Sequence, residues 1–360
     1  MKNRLFPNAA VPKTAVLEMT YQCNHRCLFC SVPWENPKGD YKKSGELTIE
    51  EWKNCIDRLV AHEVRGLAFS GGEPLLKQGL EEIIHYAHTK KIQTPAFDQQ
   101  HNLIGSQEKH FEFSLITNGR LVNSRWVELF KKYHFTMIVS LPGINAFKDL
   151  TNGGNHELAL RAIRQLSDAG LDVVVSICVT KKNLPELFET ISLGFIHGAK
   201  QLLLNRFLLG GRGINHPELC LSEEEVIQML DTAEEVCQTA KTRGSVGTEL
   251  PKCILKKDYT MLKVGTLCSG GVDFFAIDPS GRVRPCNHSP VQLGSYQDIP
   301  SAIKSNYWQK FKCKDFLPRE CSGCAMSLQC DGGCREAAHI VHGHLNSPDP
   351  LGVCHVPSRG

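Results

Sequence analysis

The sequence predicts an α/β protein in which a partial (β/α)6 barrel is followed by a small cysteine-rich domain. Three observations carry this. Apolar runs alternate with amphipathic stretches without interruption from Thr14 to Phe207. From Cys253 onward that periodicity gives way to glycine, proline and cysteine. The cysteines also gather in two places, Cys23 to Cys30 and Cys268 to Cys354. Alternating strands and helices argue for a parallel sheet covered by helices. A glycine- and cysteine-rich tail argues for a region organised by metal more than by an apolar core. The expected division is 1–245 for the barrel and 246–360 for the tail, consistent with a chain of 360 residues that exceeds one small core.

The elements follow in order. Residues 14–20 form a strand that delivers a cysteine loop, and residues 34–40 are rich in turn formers and flank it. Thr48 and Glu51 make a capping box, after which Trp52, Ile56, Leu59 and Val60 recur on one helical face. A second strand spans 66–72, a helix 80–90 and a third strand 111–119. Residues 92–110 exceed an ordinary connection and read as a hairpin or a lid. Helix 123–132, strand 136–141, helix 157–169, strand 171–179, helix 184–193 and strand 201–207 complete six strands. Ser222 and Glu225 form another capping box, opening a helix to about residue 242. Barrels of this kind present chemistry at the carboxyl ends of their strands, where Cys23, Glu73, Asn118, Ser140 and Arg206 all fall.

Cys23, Cys27 and Cys30 are spaced C-x3-C-x2-C in the run from Met19 to Cys30. Three thiolates at that spacing can hold three irons of a cubane and leave the fourth without a protein ligand. A closed zinc site is the alternative. Downstream, Phe69-Ser-Gly-Gly-Glu-Pro74 ends an apolar strand. Gly71 and Gly72 permit close backbone approach to a ligand, and the Glu73 carboxylate can meet an amine. Together the two motifs resemble the radical S-adenosylmethionine (SAM) superfamily, and the resemblance spans the chain. It implies a TIM-like partial barrel, a SAM-binding 4Fe–4S cluster on the triplet, and reductive cleavage of SAM to methionine and a 5′-deoxyadenosyl radical.

The tail supplies Cys268, twelve residues, Gly281, four residues and Cys286, then Cys321-x2-Cys324-x5-Cys330-x3-Cys334 and a last Cys354. Alone, this array is compatible with one or two zinc sites. The array is similar to the SPASM extension of radical SAM enzymes, which implies an iron–sulfur domain with two auxiliary clusters. By that resemblance Cys321, Cys324, Cys330 and Cys354 hold one cluster, and Cys268, Cys286 and Cys334 the other. Residues 269–280 lack the additional cysteine found in some members. The fourth iron of the second group is then open to substrate, bound by Cys253, or ligated by a group other than cysteine.

Around SAM, the resemblance assigns Gly71, Gly72 and Glu73, with Asn118, Ser140, Ser176 and Arg206 as further contacts. An arginine ending an apolar strand needs an anion, and the SAM carboxylate is at hand. Asn118 is equally a turn residue, and a strand serine is as often bonded to backbone. Ser140-Leu-Pro-Gly143 departs from the Ser-Leu-Asp-Gly of many relatives. Cys55, Cys178, Cys220, Cys237 and Cys313 read as packing or surface thiols. His25 and Arg26 lie between cluster ligands. No Ser-His-Asp arrangement or phosphate loop offers another chemistry.

A formal charge of +3 is too mild to argue for nucleic acid or an anionic membrane. No run approaches a bilayer span and no signal-peptide core is evident, so a cytoplasmic protein with reduced thiols is expected. The implied function is a SAM-cleaving oxidoreductase that modifies a peptide or protein, forming a crosslink, thioether or carbonyl while auxiliary clusters accept an electron. A flavodoxin or ferredoxin is the expected electron donor. No peptide-recognition domain precedes Thr14, so docking calls for a separate carrier or direct binding. The second enzymatic reading is tailoring of a haem or quinone precursor, because the segment from Asn205 to Gly213 looks like one shared by both groups. The non-catalytic alternative is an iron–sulfur or zinc scaffold, against which the triplet and Glu73 speak.

Overall fold

The structure, a computed structural model, describes residues 11–98 and 103–351. Twelve strands are present among them: β1 (Thr14–Glu18), β2 (Gly66–Ser70), β3 (Ile92–Phe97), β4 (Leu103–Lys109), β5 (Glu112–Thr117), β6 (Thr136–Ser140), β7 (Asp172–Val179), β8 (Gln201–Arg206), β9 (Arg243–Val246), β10 (Leu262–Val264), β11 (Phe274–Ile277) and β12 (Val283–Arg284). The helices are α1 (Ile49–Ala61), α2 (Leu80–Thr89), α3 (Ser124–Lys132), α4 (Phe147–Leu150), α5 (His156–Asp168), α6 (Leu187–Ile196), α7 (Glu223–Ala240), α8 (Ile299–Lys304), α9 (Asn306–Cys313) and α10 (Arg335–His342).

Ten strands form one sheet in the order β10-β9-β8-β7-β6-β5-β2-β1-β11-β12. All neighbours are parallel except β11 and β12. The six expected barrel strands lie adjacent in its centre. Along β7 fully buried residues alternate with half-buried ones, Val173, Val175 and Ile177 against Val174, Ser176 and Cys178. The fully buried set belongs to the main apolar core with α5 residues such as Ile163 and Leu166, which places the other set on the inner face of the barrel. Both expected capping boxes are formed, Thr48 with Glu51 at α1 and Ser222 with Glu225 at α7. Residues 92–110 contain an antiparallel hairpin, β3 paired with β4, separate from the main sheet.

The tail does not stand apart from the barrel. The expected division at residue 245 cuts β9, which extends the sheet beyond β8, and β11 pairs with β1 from Thr14↔Phe274 to Leu17↔Ile277. Phe275, Ile277, Val283, Ile303 and Trp308 share one apolar core with Leu17 and Trp52. A buried ion pair joins the same regions: Glu18, at the end of β1, accepts from Arg284 Nη2 on β12. No helix among the described residues is long and apolar enough to cross a membrane.

Candidate active site

The cysteine triplet begins where β1 stops. Met19 N still donates to Ser70 O at 2.9 Å, so the β1–β2 pairing continues one residue further and sets the direction of the loop. The Gly-Gly-Glu backbone then follows it, with Gly72 N donating to Thr20 O at 2.9 Å and Glu73 N to Gln22 O at 2.8 Å. The need for glycine arises here. A Cβ on Gly71, where φ is +122°, would sit 2.8 Å from Thr20 O, and one on Gly72 would overlap Gln22 O. The glycines are needed for close approach to the cysteine loop itself. Gly72→Ala is therefore expected to cost about 1–3 kcal/mol as overpacking and to displace Cys23. Thermal unfolding with iron content checks this; wild-type stability together with full iron loading would contradict it.

The rest of the loop is held from two other sides. Arg26 N and Leu28 N donate to Thr151 O and Leu150 O, and Cys30 N donates to Cys27 O at 3.2 Å. Gly213 N donates to Cys30 O at 3.1 Å, and Arg212 Nη1 to Cys27 O at 2.9 Å. Arg212 also pairs with Glu35, from the turn-rich stretch expected to flank the loop. Arg212 had no assigned role in the sequence reading, although the Gly-Gly-Arg-Gly segment that carries it was the available signal.

Burial pushes the Cys30 thiol up to about 11, Cys27 well above its usual value and Cys23 upward, while Arg212 opposes the shift at all three. Thiols in such surroundings stay protonated unless a cation compensates, and bound metal does so outright. Glu73 is buried, with Oε1 accepting from Leu75 N at 3.2 Å and Thr117 Oγ1 at 2.8 Å, and Oε2 from Asn118 N at 2.9 Å. Among the described residues Oε2 has one protein donor, which leaves the carboxylate capacity for an amine. Burial raises its pKa to about 7.

Cys23, Cys27, Cys30, Gly71, Gly72, Glu73, Asn118, Ser140 and Arg206 line one cavity of about 370 Å³, within the size range of small-molecule pockets. Ser176 is Ser140's register partner in β7 but does not line it. Asn118 serves the chain: its Nδ2 donates to Asn24 Oδ1 at 2.7 Å, and its Oδ1 accepts from Arg120 N at 3.0 Å. Arg206 pairs with Asp349 at 2.5 Å, both side chains buried, while its Nε has no hydrogen-bond partner among the described residues. Cys178, expected to be a packing thiol, lies in the cavity wall near Cys30.

The same cavity is lined by Cys268, Cys286 and Cys334, with Glu249, His288 and Glu336 beside them. Cys268 N donates to Asp331 Oδ2 at 2.7 Å, and Lys314 Nζ bonds both Cys268 O and Asp331. Cys334 N donates to the Asp349 carboxylate that holds Arg206. The three thiols interact with one another, and Glu249 and Glu336 are the strongest anionic neighbours of Cys268 and Cys286 respectively. Cys321, Cys324 and Cys330 form a separate group, and Cys253 interacts with it. The turn carrying Cys253 packs on Cys330 through Lys252 N. Cys354 lies outside the described residues. Among those residues no three His, Cys, Asp or Glu side chains converge as a single-ion site.

Residues 17–193 match the family described as the radical SAM superfamily, so the chain carries a radical SAM domain and is an enzyme, with SAM and a 4Fe–4S cluster as the cofactors that domain brings. The chain is 24% identical over 353 residues to a PqqA peptide cyclase of Granulibacter bethesdensis, covering 94% of this chain and 86% of the relative. Its fold is similar to Streptococcus suis SuiB bound to S-adenosylmethionine, with a TM-score of 0.69 and 14% identity over 95% of this chain and 77% of SuiB. It is also similar to anSMEcpe with bound AdoMet and Cp18Cys peptide, with a TM-score of 0.65 and 19% identity over 94% of both chains.

Proposed function

We propose that this enzyme oxidatively modifies a peptide or protein, with Cys23, Cys27 and Cys30 holding the SAM-binding cluster and the tail cysteines holding two auxiliary clusters. The observation that carries this is the shared cavity: the triplet, Glu73, and the Cys268, Cys286 and Cys334 group all face one space. When bound, these groups supply redox chemistry, an electron from the first cluster cleaving SAM to methionine and a 5′-deoxyadenosyl radical and an auxiliary cluster accepting the electron left by the oxidised substrate.

The protein's own part is positioning and charge. The Arg212 guanidinium and the Gly213 N–H donate to the carbonyls of Cys27 and Cys30 and hold that turn of the cysteine loop. Thr117, Asn118 and Leu75 fix the Glu73 carboxylate, which takes the SAM amine. Soft thiolate donors suit iron–sulfur chemistry. Relatives named for a peptide or solved with one favour a peptide substrate. A flavodoxin or ferredoxin delivers the electron, and a separate carrier or direct binding brings the peptide.

The test is anaerobic reconstitution with iron and sulfide, followed by SAM, a reductant and a short peptide encoded beside the gene. The expected result is 5′-deoxyadenosine together with a peptide lighter by the mass of H2. An unaltered peptide alongside turnover of a tetrapyrrole or quinone precursor would overturn the assignment.

Glu73 adds a pH dependence. Because burial raises its pKa to about 7, the carboxylate is neutral below that pH and charged above it. SAM affinity should therefore rise with pH through about 7, by at most about tenfold per pH unit below it. Glu73→Gln lacks the charge at every pH, so the gap between parent and variant should open above pH 7 and close toward acid. Isothermal titration with SAM across that range checks it; a gap independent of pH would contradict the role.

A further inference from the structure

The cysteine triplet faces two cavities, and the shared space with the tail is only one of them. Cys23, Cys27 and Cys30 also line a second, of about 630 Å³, with Tyr21, Asn24 and Trp34 in its walls. Among the described residues, neither Glu73 nor any tail cysteine lines it. The second cavity thus reaches the triplet without passing the groups assigned to SAM and to the auxiliary clusters. Cys23 is exposed, so the loop that carries the sulfurs lies at the protein surface.

Charge at this second opening is one-sided. Arg26, Lys43 and Arg212 line it, and the exposed Arg120 donates from Nη1 to the carbonyl of Asn24 at 3.4 Å. Glu35 is the single carboxylate lining it among the described residues. The three lining cations converge on that carboxylate, Arg26 Nη1 and Lys43 Nζ at 3.7 Å and Arg212 Nη2 closer. Four cations against one anion leave three positive charges uncompensated here, as many as the formal charge of the whole chain, +3. The Arg26 and Lys43 side chains are 70% and 48% exposed, so their charge is presented to water. Exposed pairs of this kind contribute little to stability, so the fold does not account for the concentration.

We propose that this opening is the docking face for the electron donor, and that the donor is a redox protein with an acidic surface. SAM cleavage needs an electron from outside: the donor is oxidised by one electron, the triplet's cluster is reduced by one, and no atom is transferred. That electron has to arrive while SAM and peptide fill the shared cavity, and the second cavity offers the other approach. A positive field around a redox centre steers an acidic partner toward it and raises encounter rates about 10- to 1,000-fold. Electron-transfer encounters bury little surface, so four cations around one recess are enough to orient one. The inference rests on the reading that Cys23, Cys27 and Cys30 hold the SAM-cleaving cluster.

Two reductants test it in the full-length, anaerobically reconstituted enzyme: flavodoxin reduced by its NADPH-dependent reductase, and reduced methyl viologen, a small cation that needs no docking face. Lys43→Glu combined with Arg120→Glu should lower flavodoxin-driven 5′-deoxyadenosine formation about tenfold or more at about 0.01 M salt. The same variant should keep the parent's iron content and its rate with methyl viologen. At about 1 M salt, where charges are screened within about 3 Å, the parent's flavodoxin-driven rate should fall to that of the variant. Lys43→Arg with Arg120→Lys should behave as the parent. Carbodiimide crosslinking of the unaltered enzyme to flavodoxin, read by peptide mass spectrometry, should join flavodoxin carboxylates to Lys43. Equal flavodoxin-driven rates in parent and reversed variant at low salt overturn the proposal, and so do crosslinks that fall only on other lysines. A raised KM for the peptide with both reductants also overturns it, assigning the cations to an acidic peptide instead. Failure of the underlying reading looks different: the parent forms no 5′-deoxyadenosine with methyl viologen either.

Discussion

Replacing Cys23, Cys27 and Cys30 together by alanine should reduce 5′-deoxyadenosine formation to background while leaving the tail's iron in place. Cluster binding in this loop depends on sulfur alone. The loop's path is set by backbone bonds from Thr151, Leu150 and Gly213, which alanine side chains leave unchanged. Loss of the thiols should therefore remove the site with little loss of fold. Unchanged circular dichroism and a drop of about a third in iron, for three clusters, are the expected accompaniments. SAM cleavage that survives in the triple variant would overturn the assignment of the amino-terminal site.

The six barrel strands were legible because each carries enough apolar residues to declare itself, and Thr48 and Ser222 announced their helices through local hydrogen bonds. Strands β9 to β12 escaped notice for a physical reason. They are two to four residues long, and β9 reads Arg243-Gly-Ser-Val246. Their stability comes from adding to edges that β8 and β1 already offer, not from a pattern of their own. The expected boundary at residue 245 falls inside β9 for the same reason.

At the site, the sequence showed which residue types had chemical needs but not how those needs were met. Arg206 demanded an anion, and the partner proved to be Asp349, 143 residues away. Gly71 and Gly72 demanded a close approach, and the approaching group proved to be the backbone at Thr20 and Gln22. Cys253 was one more thiol in a cysteine-rich region, and a hydrogen bond from its neighbour Lys252 brings that turn to Cys330. Spacing along the chain identifies ligands that are neighbours in sequence. It says little about donors that arrive from another strand.

Arg284→Met should destabilise the protein by about 3–5 kcal/mol, the usual consequence of leaving a buried charge without its partner. Arg284 is fully buried and pairs with Glu18, which is 1% exposed, so no water is available to replace the guanidinium. The same side chain donates from Nη1 to Asn287 O at 3.2 Å and Ser289 O at 2.6 Å, bracing the loop after Cys286. One residue therefore ties the strand that launches the first cysteine loop to the loop of an expected auxiliary ligand. The sign of the pH dependence follows from Glu18. Burial is the leading cause that raises its pKa, to about 7, and Arg284 opposes it. A carboxyl with a raised folded pKa costs stability as pH climbs from its unfolded value, near 4.5, through the folded one. Without Arg284 that value rises further, so the deficit should be small in acid and grow to its full size above pH 7. Glu18→Gln in the Arg284→Met background should recover part of the loss, since it removes the stranded charge. Denaturant unfolding of the three proteins across pH checks all three expectations; a deficit under 1 kcal/mol, or one that ignores pH, would show that the pair does not hold β1 to the tail.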